Sequence, residues 1–187
     1  PAVNAQAIPG YRLTSAWIYH RRPVEIWVKT TRKPTRLLVD LGTTLNVKEE
    51  LIEVSHRLTY IIQYAGIDTF VFSVPAALVD KIQIRSLGDS SIPAIKQQSK
   101  ANTAVDGWVN WTVVLQRDYV GSVPLEITYD INAKTKQGEP ASLTYAPIRV
   151  QDSPAKEGKS KRVAVSRIAG EIAVLKDRAL SVSAKAS

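Results

Sequence analysis

The segment WVNWTVVLQRDYVGSVPLEITYDI, residues 108–131, decides the fold class because apolar and polar side chains alternate along most of its length. The apolar residues of 108–116 share one face of an extended chain, and the same alternation returns over 123–131. A period of two is typical of strands with one buried face and one wet face. The segment therefore predicts two β-strands.

Shorter stretches along the chain repeat this alternation, and Val, Ile and Thr together supply 49 of the 187 residues. Such β-branched residues favour pleated, half-buried surfaces. We expect an all-β fold, an antiparallel β-sandwich of about ten strands with little helix. The further strands are expected at 11–19, 24–29, 37–41 and 79–86. The expected core residues are Trp17, Val28, Val39, Tyr60, Phe70, Phe72, Ile84, Trp111, Leu125 and Ile127.

Residues 46–65 fit two secondary structures. Asn46 followed by Glu49 resembles a helix capping box, yet the residues from Ile52 to Tyr64 alternate without a break. The β-branched content around Tyr60 disfavours a helix. The pattern favours a long strand that ends at Ala65-Gly66 and forms a hairpin with a partner strand at 68–74.

The polar stretches predict the connections and the domain organisation. Residues 88–106 have the composition of a long loop, and residues 134–140 that of a turn. We predict a β-sandwich domain over 1–151 and a linker or mobile loop over 152–161. Residues 162–187 are expected to form strands that complete the sandwich edge or begin a next module.

Several function classes are excluded by composition. The chain has no cysteine, which removes disulfides, thiolate metal sites and cysteine nucleophiles. Its nine glycines are never closer than 12 residues apart, so neither a G-x-G-x-x-G motif nor a P-loop is present. We predict no cofactor, no nucleotide site, no metal site and no transmembrane segment. The chain also lacks methionine, and we expect it to be a piece of a longer protein.

No motif predicts catalysis. His20 and His56 are 36 residues apart, and His56 falls on an apolar strand face, which is typical of a hydrogen-bonded core histidine. The block Leu87–Ser91 resembles the nucleophile block of GDS-type esterases, but no histidine follows it to act as the base. A turn is the favoured interpretation. The acidic group around Glu49 is expected to be a solvated turn, and we predict a protein that is not an enzyme.

Two tryptophans and the chain ends are the candidate binding features. Trp27 and Trp108 lie on the polar faces of their predicted strands, where exposed indoles stack on sugars, bases or proteins. Residues 1–40 and 151–187 carry net charges of +5 and +4, whereas the middle carries −1. This polarity is typical of solvated flanks or of a nucleic-acid binder. The candidate basic patch is His20, Arg21, Arg22, Arg32, Lys33 and Arg36.

The order of these elements resembles a known kind of module. The segment LTYIIQYAGIDTFVFSVPAALVDKIQI (58–84), followed by 108–131, is similar to tandem β-sandwich modules of large bacterial, planctomycete-type cell-envelope proteins. The tail VSRIAGEIAVLKDRALSVSAKAS (165–187) is similar to the start of the following segment in those chains. The resemblance implies a periplasmic or cell-surface location, and it carries over no catalytic residue.

These observations favour a non-catalytic structural or adhesive module of a larger extracytoplasmic protein. Its expected partners are other domains of the same polypeptide or envelope proteins. A glycan-binding module that uses Trp27 and Trp108 is the first alternative. Electrostatic nucleic-acid binding through the basic flanks is the second, and its steep salt dependence would separate it from the others.

Overall fold

The computed structural model describes residue 20 and residues 25–132, 145–154, 162–178 and 180–183. The chain divides into two compact units, Pro1–Arg32 and Lys33–Ser187. The described strands all lie in the second unit. They are β1 (Arg36–Val47), β2 (Leu51–Pro75), β3 (Gln83–Ser86), β4 (Ile95–Lys100), β5 (Trp108–Asn132), β6 (Arg149–Gln151) and β7 (Val165–Lys176), with a 3₁₀ helix at Ala76–Leu78.

The strands form one hydrogen-bonded sheet in the order β3-β5-β2-β1-β7, with β4 added to β5 and β6 added to β2. Each of these pairs is antiparallel except β1 with β7, which run parallel. The antiparallel architecture was predicted, but the parallel edge was not, because alternation in sequence carries no information about strand direction.

The two longest strands, β2 and β5, bend together and divide the sheet into two layers. Ile62 pairs with Gly121 before the bend, and Ile67 pairs with Tyr119 after it. At the bend, Tyr64 has φ 73° and Gly121 has φ 135°. Because both strands bend at the same point, they keep their pairing while the sheet changes direction.

Contacts between the rings of Tyr60 and Phe70 demonstrate that the layers face each other. The two ring centroids are 4.6 Å apart, although ten residues of straight strand would separate them by roughly 33 Å. The Tyr60 hydroxyl also donates a hydrogen bond of 3.4 Å to the Val71 carbonyl. The predicted β-sandwich is confirmed. Counting β2 and β5 as two segments each, its described strands are close in number to the expected ten.

The main core lies between the two layers. Leu37 and Val39 from β1, Tyr60 from β2 and Leu125 from β5 are fully buried there. A smaller cluster around Leu45 and Tyr129 continues it. Of the predicted core residues, Val39, Tyr60, Phe70, Phe72, Leu125 and Ile127 are buried, and Ile84 and Trp111 are half-buried against the main core.

The prediction of a hairpin at Ala65-Gly66 is wrong. The left-handed backbone at Tyr64 bends β2 without reversing it, so the residues on both sides keep β5 as their partner. The reversal occurs earlier, at 48–50, where the Lys48 amide donates to the Leu51 carbonyl. Asn46 is therefore not a helix cap. It lies opposite Glu53 across the β1–β2 turn and donates a side-chain hydrogen bond of 3.0 Å to it.

The other strand boundaries differ from the sequence pattern for local reasons. The predicted loop 88–106 contains β4. Its side chains are mostly polar and exposed, so the sequence pattern did not indicate this edge strand. The strand predicted at 79–86 is shorter, since only Gln83–Ser86 pairs with β5. The strands predicted at 108–116 and 123–131 are one continuous strand, β5.

The strand predicted at 24–29 is wrong over its described part. Residues 25–35 have no regular secondary structure, and Ile26 and Val28 are exposed. Val28 is therefore not a core residue, because alternation alone supplies no neighbouring strand to pair with. Trp17, the strand at 11–19 and the turn at 134–140 lie outside the described residues.

The segment predicted as a linker begins with residues that are held in place. Ser153 is buried, and its backbone exchanges hydrogen bonds of 3.0 and 3.1 Å with Val163. The Asp152 carboxylate accepts a hydrogen bond from the Val165 amide. Residues 155–161 lie outside the description. The domain boundaries at 151 and 161 stay predictions.

Candidate functional site

His56 is the centre of a buried polar cluster. Its strand, β2, lies between β1 and β5, which bring Thr43 and Tyr129 to either side of the ring. The Thr43 hydroxyl is 3.0 Å from Nδ1, and the Tyr129 hydroxyl is 3.2 Å from Nε2. Tyr145 stacks on the imidazole, with its hydroxyl 3.3 Å from Nε2. The predicted core histidine with satisfied hydrogen bonds is confirmed.

Burial sets the protonation states in this cluster. It lowers the pKa of His56 to about 4, because the charged imidazolium would be poorly solvated. Burial also raises the pKa of Tyr129 and, less strongly, that of Tyr145. All three groups are therefore neutral near pH 7, and the His56 ring has no exposed surface. The cluster cross-links β1, β2, β5 and the segment beginning at Tyr145.

The esterase-like block at Leu87–Ser91 forms the expected turn. The Asp89 carboxylate accepts hydrogen bonds from the Ser91 amide, at 2.8 Å, and from the Ser91 hydroxyl, at 2.5 Å. These bonds hold the pKa of Asp89 below its usual value. Both side chains thus stabilise the backbone of the turn.

The acidic group also has a local structural role. Glu49 lies in the exposed turn after β1, whereas Glu53 accepts hydrogen bonds from Lys48 and Asn46. The hydrogen bond from Lys48 has the larger effect, and together the two bonds lower the pKa of Glu53. Within the described part of the chain, no group of three or more His, Cys, Asp or Glu residues is placed to hold a metal ion.

Trp27 and Trp108 differ sharply in exposure. Trp27 is 91% exposed and belongs to the unit Pro1–Arg32. Trp108 is half-buried in the other unit, and the Arg149 guanidinium lies 3.9 Å from its ring centroid. One face of Trp108 is therefore occupied by a cation, an arrangement worth about 0.5–2 kcal/mol. The role of both indoles in binding stays a prediction.

The candidate basic patch is described only in part. His20, Arg32, Lys33 and Arg36 are exposed, and Arg21 and Arg22 lie outside the described residues. The Lys33 ammonium lies 4.8 Å from the ring centroid of Tyr64, next to the bend in β2. The patch stays a prediction.

Sequence reasoning predicted a strand where β7 lies, but it missed the exposure of that strand's apolar face. Its apolar alternation predicted a strand, yet nearly all of its side chains are exposed, including Ile168 at 52% and Ile172 at 54%. These residues continue the core-facing side of β1, since they lie beside Val39 and Thr43 in the parallel register. The alternation of 165–176 predicted the strand, but no sequence pattern indicated that its apolar face is exposed.

The outer face of the same sheet edge is polar. A shallow depression of about 310 Å³ lies over Gly42, which lacks a side chain, with Arg57 and Glu171 on its two sides. Thr44 and Ser55 also line it. The edge formed by β1 and β7 therefore has an apolar inner face and a charged outer face. In the described residues, no helix is long and apolar enough to cross a membrane.

No model of a known protein family matches the chain, and no curated protein matches it. Among solved structures, the chain is similar to the seventh ScaB type I cohesin from Pseudobacteroides cellulosolvens. The sequence identity is 16%, the match covers 80% of this chain and 99% of the cohesin chain, and the TM-score is 0.39.

Proposed function

We propose that the chain is a non-catalytic structural and adhesive β-sandwich module of a larger extracytoplasmic protein, in the periplasm or at the cell surface. The location follows from the resemblance of 58–84 and 108–131 to tandem envelope modules. The partners are neighbouring domains of the same polypeptide and other envelope proteins. In such a chain, the module transmits force between its neighbours without unfolding.

The observation that carries this proposal is the parallel pairing of β1 with β7, the first and last described strands. They pair over eleven register positions, from Leu37 beside Val165 to Val47 beside Lys176. The chain enters β1 at one end of this ladder and leaves β7 at the other, roughly 33 Å away. A pull on the chain ends therefore acts along the strands, and all of the inter-strand hydrogen bonds resist it together.

Single-molecule force spectroscopy tests this proposal. The chain has no cysteine, so Lys33→Cys and Arg178→Cys give unique handles at opposite ends of the β1–β7 ladder. Glu49→Cys with Arg178→Cys is the matched control, because both handles then lie at the same end and the ladder opens one bond at a time. We expect a several-fold higher unfolding force for the first pair. Equal forces would contradict the proposal.

A second candidate, glycan binding, is favoured by the exposure of Trp27 alone. An indole that is 91% exposed offers an open face for a sugar ring, whereas the Trp108 ring is covered on one side by Arg149. Titration with oligosaccharides, followed by tryptophan fluorescence, tests it. Binding that is lost in Trp27→Ala and kept in Trp108→Ala would support this function. A titration without a change would refute it.

A further inference from the structure

The outer edge of β7 is the side of this strand that faces away from β1. This twelve-residue strand ends the sheet, with β1 on one side. Within residues 25–132, 145–154, 162–178 and 180–183, no strand pairs with its other side. A long edge strand with exposed apolar side chains is a template for further strand pairing. It contains no proline and no bulge within 167–176 that would block such pairing.

The inner face of β7 is apolar around its centre. Ile168, Ile172 and Val174 lie beside Val39, Thr43 and Leu45, all of which are buried. The three β7 side chains are nevertheless 40–54% exposed. The apolar side of the sheet therefore extends past the second layer by one strand, and another strand placed beside β7 would cover part of it.

The outer face of β7 carries opposite charges in a symmetric arrangement. Arg167 and Glu171 are four residues apart on this face, with Ala169 midway between them. Arg167 contacts Asp40 at 3.4 Å, and both side chains remain substantially exposed. A two-fold axis through Ala169 would place each Arg167 opposite the Glu171 of a second strand.

We propose that two copies of this chain associate through the outer edges of β7, antiparallel about a two-fold axis at Ala169. The axis is perpendicular to the sheet, so that inner face continues into inner face. Residue i then pairs with residue 338 − i of the second copy over 167–171. This interface goes beyond the proposed function and stands without it.

Three consequences favour this register. Arg167 faces Glu171 twice, and opposite charges across strands stabilise the pair. Ile168 faces Gly170, so the two Ile168 and two Ile172 side chains meet diagonally around the axis on the inner face. A shift of the axis to Glu171 would instead place two glutamates directly opposite each other, which is destabilising. The charge pattern therefore selects a second copy in one register.

Sedimentation equilibrium of the full chain, from low micromolar to near-millimolar concentration, tests the association. We expect a reversible monomer–dimer equilibrium. Arg167→Glu should weaken it roughly tenfold or more, because it replaces two attractive pairs by two repulsive ones. The double variant Arg167→Glu, Glu171→Arg should restore the dissociation constant to within a few-fold. Arg57→Glu is the matched control, since it makes the same charge change on the same face but on β2.

Disulfide cross-linking tests the register. Ala169→Cys places two thiols directly opposite each other, where the Cα separation of paired strands matches that of a disulfide. Ala173→Cys is the control, because it is also exposed on the outer face, yet the proposed register separates its two copies by roughly 26 Å. We expect the Ala169→Cys variant to form covalent dimers under mild oxidation and the Ala173→Cys variant to stay monomeric.

The outcomes that would overturn the proposal are distinct from one another. A protein that stays monomeric at every concentration would contradict the self-association, and a strand of another protein would then be the partner of this edge. Slow hydrogen exchange along the outer edge of β7 in dilute monomer would show that a segment of the same chain covers it. Cross-linking of Ala173→Cys ahead of Ala169→Cys, or a double swap that restores nothing, would rule out this register.

Discussion

The strands β1 and β7 have the same length and lie side by side, but their environments are opposite. Each has twelve residues, and they pair along nearly their whole length. On β1, Leu37, Val39 and every second residue up to Leu45 are buried. On β7, Val165 beside Leu37 is half-buried, and the residues beside Val39 to Leu45 are exposed. Pairing in a sheet and burial of a face are therefore separate properties, even for two similar neighbouring strands.

The bend in β2 and β5 accounts for the difference. It carries the later half of β2 and the earlier half of β5 back over the sheet, where Phe70 and Val113 join the core with Leu37. This second layer packs on Leu37, Val39 and Leu41 of β1, whereas Ile168 and Ile172 of β7 stay exposed. The width of the second layer, rather than the hydrophobicity of a strand, therefore decides which apolar residues become core.

The largest contrast should come from truncating matched side chains on the two strands. Leu37 is fully buried, so Leu37→Ala should lower the free energy of unfolding by about 2–5 kcal/mol through lost burial and a cavity. Ile172 is 54% exposed, so Ile172→Ala should cost about 0.5 kcal/mol. Urea denaturation at low micromolar concentration, where self-association is weak, measures both.

Equal losses of unfolding free energy for these two variants would contradict the difference in burial between β1 and β7. They would mean that the inner face of β7 is as well covered in solution as that of β1. A larger loss for Ile172→Ala at high protein concentration than at low concentration would instead agree with a contact between two copies.

The His56 cluster, which joins β2 to β1 through Thr43, should give the next largest effect on stability. Unfolded histidine titrates near pH 6.5, whereas His56 in the fold titrates near pH 4. Between these values the unfolded chain binds more protons, so the free energy of unfolding falls as the pH drops through this window. The loss should reach roughly 3 kcal/mol by pH 4. Denaturation at a series of pH values measures it.

The control for this titration is His56→Gln, which removes the ionisable group. Its free energy of unfolding should be lower at pH 7 but should change much less between pH 6.5 and pH 4 than that of the original chain. Parallel profiles for the two proteins would show that other groups cause the pH dependence. The hydrogen bond between Thr43 on β1 and His56 would then not make the stability of the fold depend on pH.

The bend itself should give the smallest of the three effects. Gly121 has φ 135°, and an added Cβ would lie 2.9 Å from the Tyr119 ring. Gly121→Ala should therefore cost about 2 kcal/mol. Gly107 has φ 79° with open space around it, so Gly107→Ala should cost about 1 kcal/mol from backbone conformation alone. Thermal unfolding of both variants would separate the two costs, and equal shifts would show that the bend accommodates a methyl group.

Local alternation was sufficient for those features that depend on one strand at a time. It indicated the inward residues of β2 up to Ile62 and the buried side of β5, because a period of two holds wherever one face is buried. It also placed His56 on an apolar face. It failed for β4, whose edge position permits polar residues on both faces, and for Val28, which has no strand beside it in the described residues.

Composition and alternation are enough to predict that this chain folds as a β-sandwich without glycine-rich phosphate loops, thiolate chemistry or a disulfide framework. Three features depend on the folded chain: β2 bends at Tyr64 instead of turning back, Tyr145 completes the His56 cluster, and β7 runs parallel to β1 with its apolar side exposed. These two groups of features differ in how far apart along the sequence the residues that set them lie. Alternation is set by neighbours two residues apart, whereas direction, partner and cover are set by residues far along the chain.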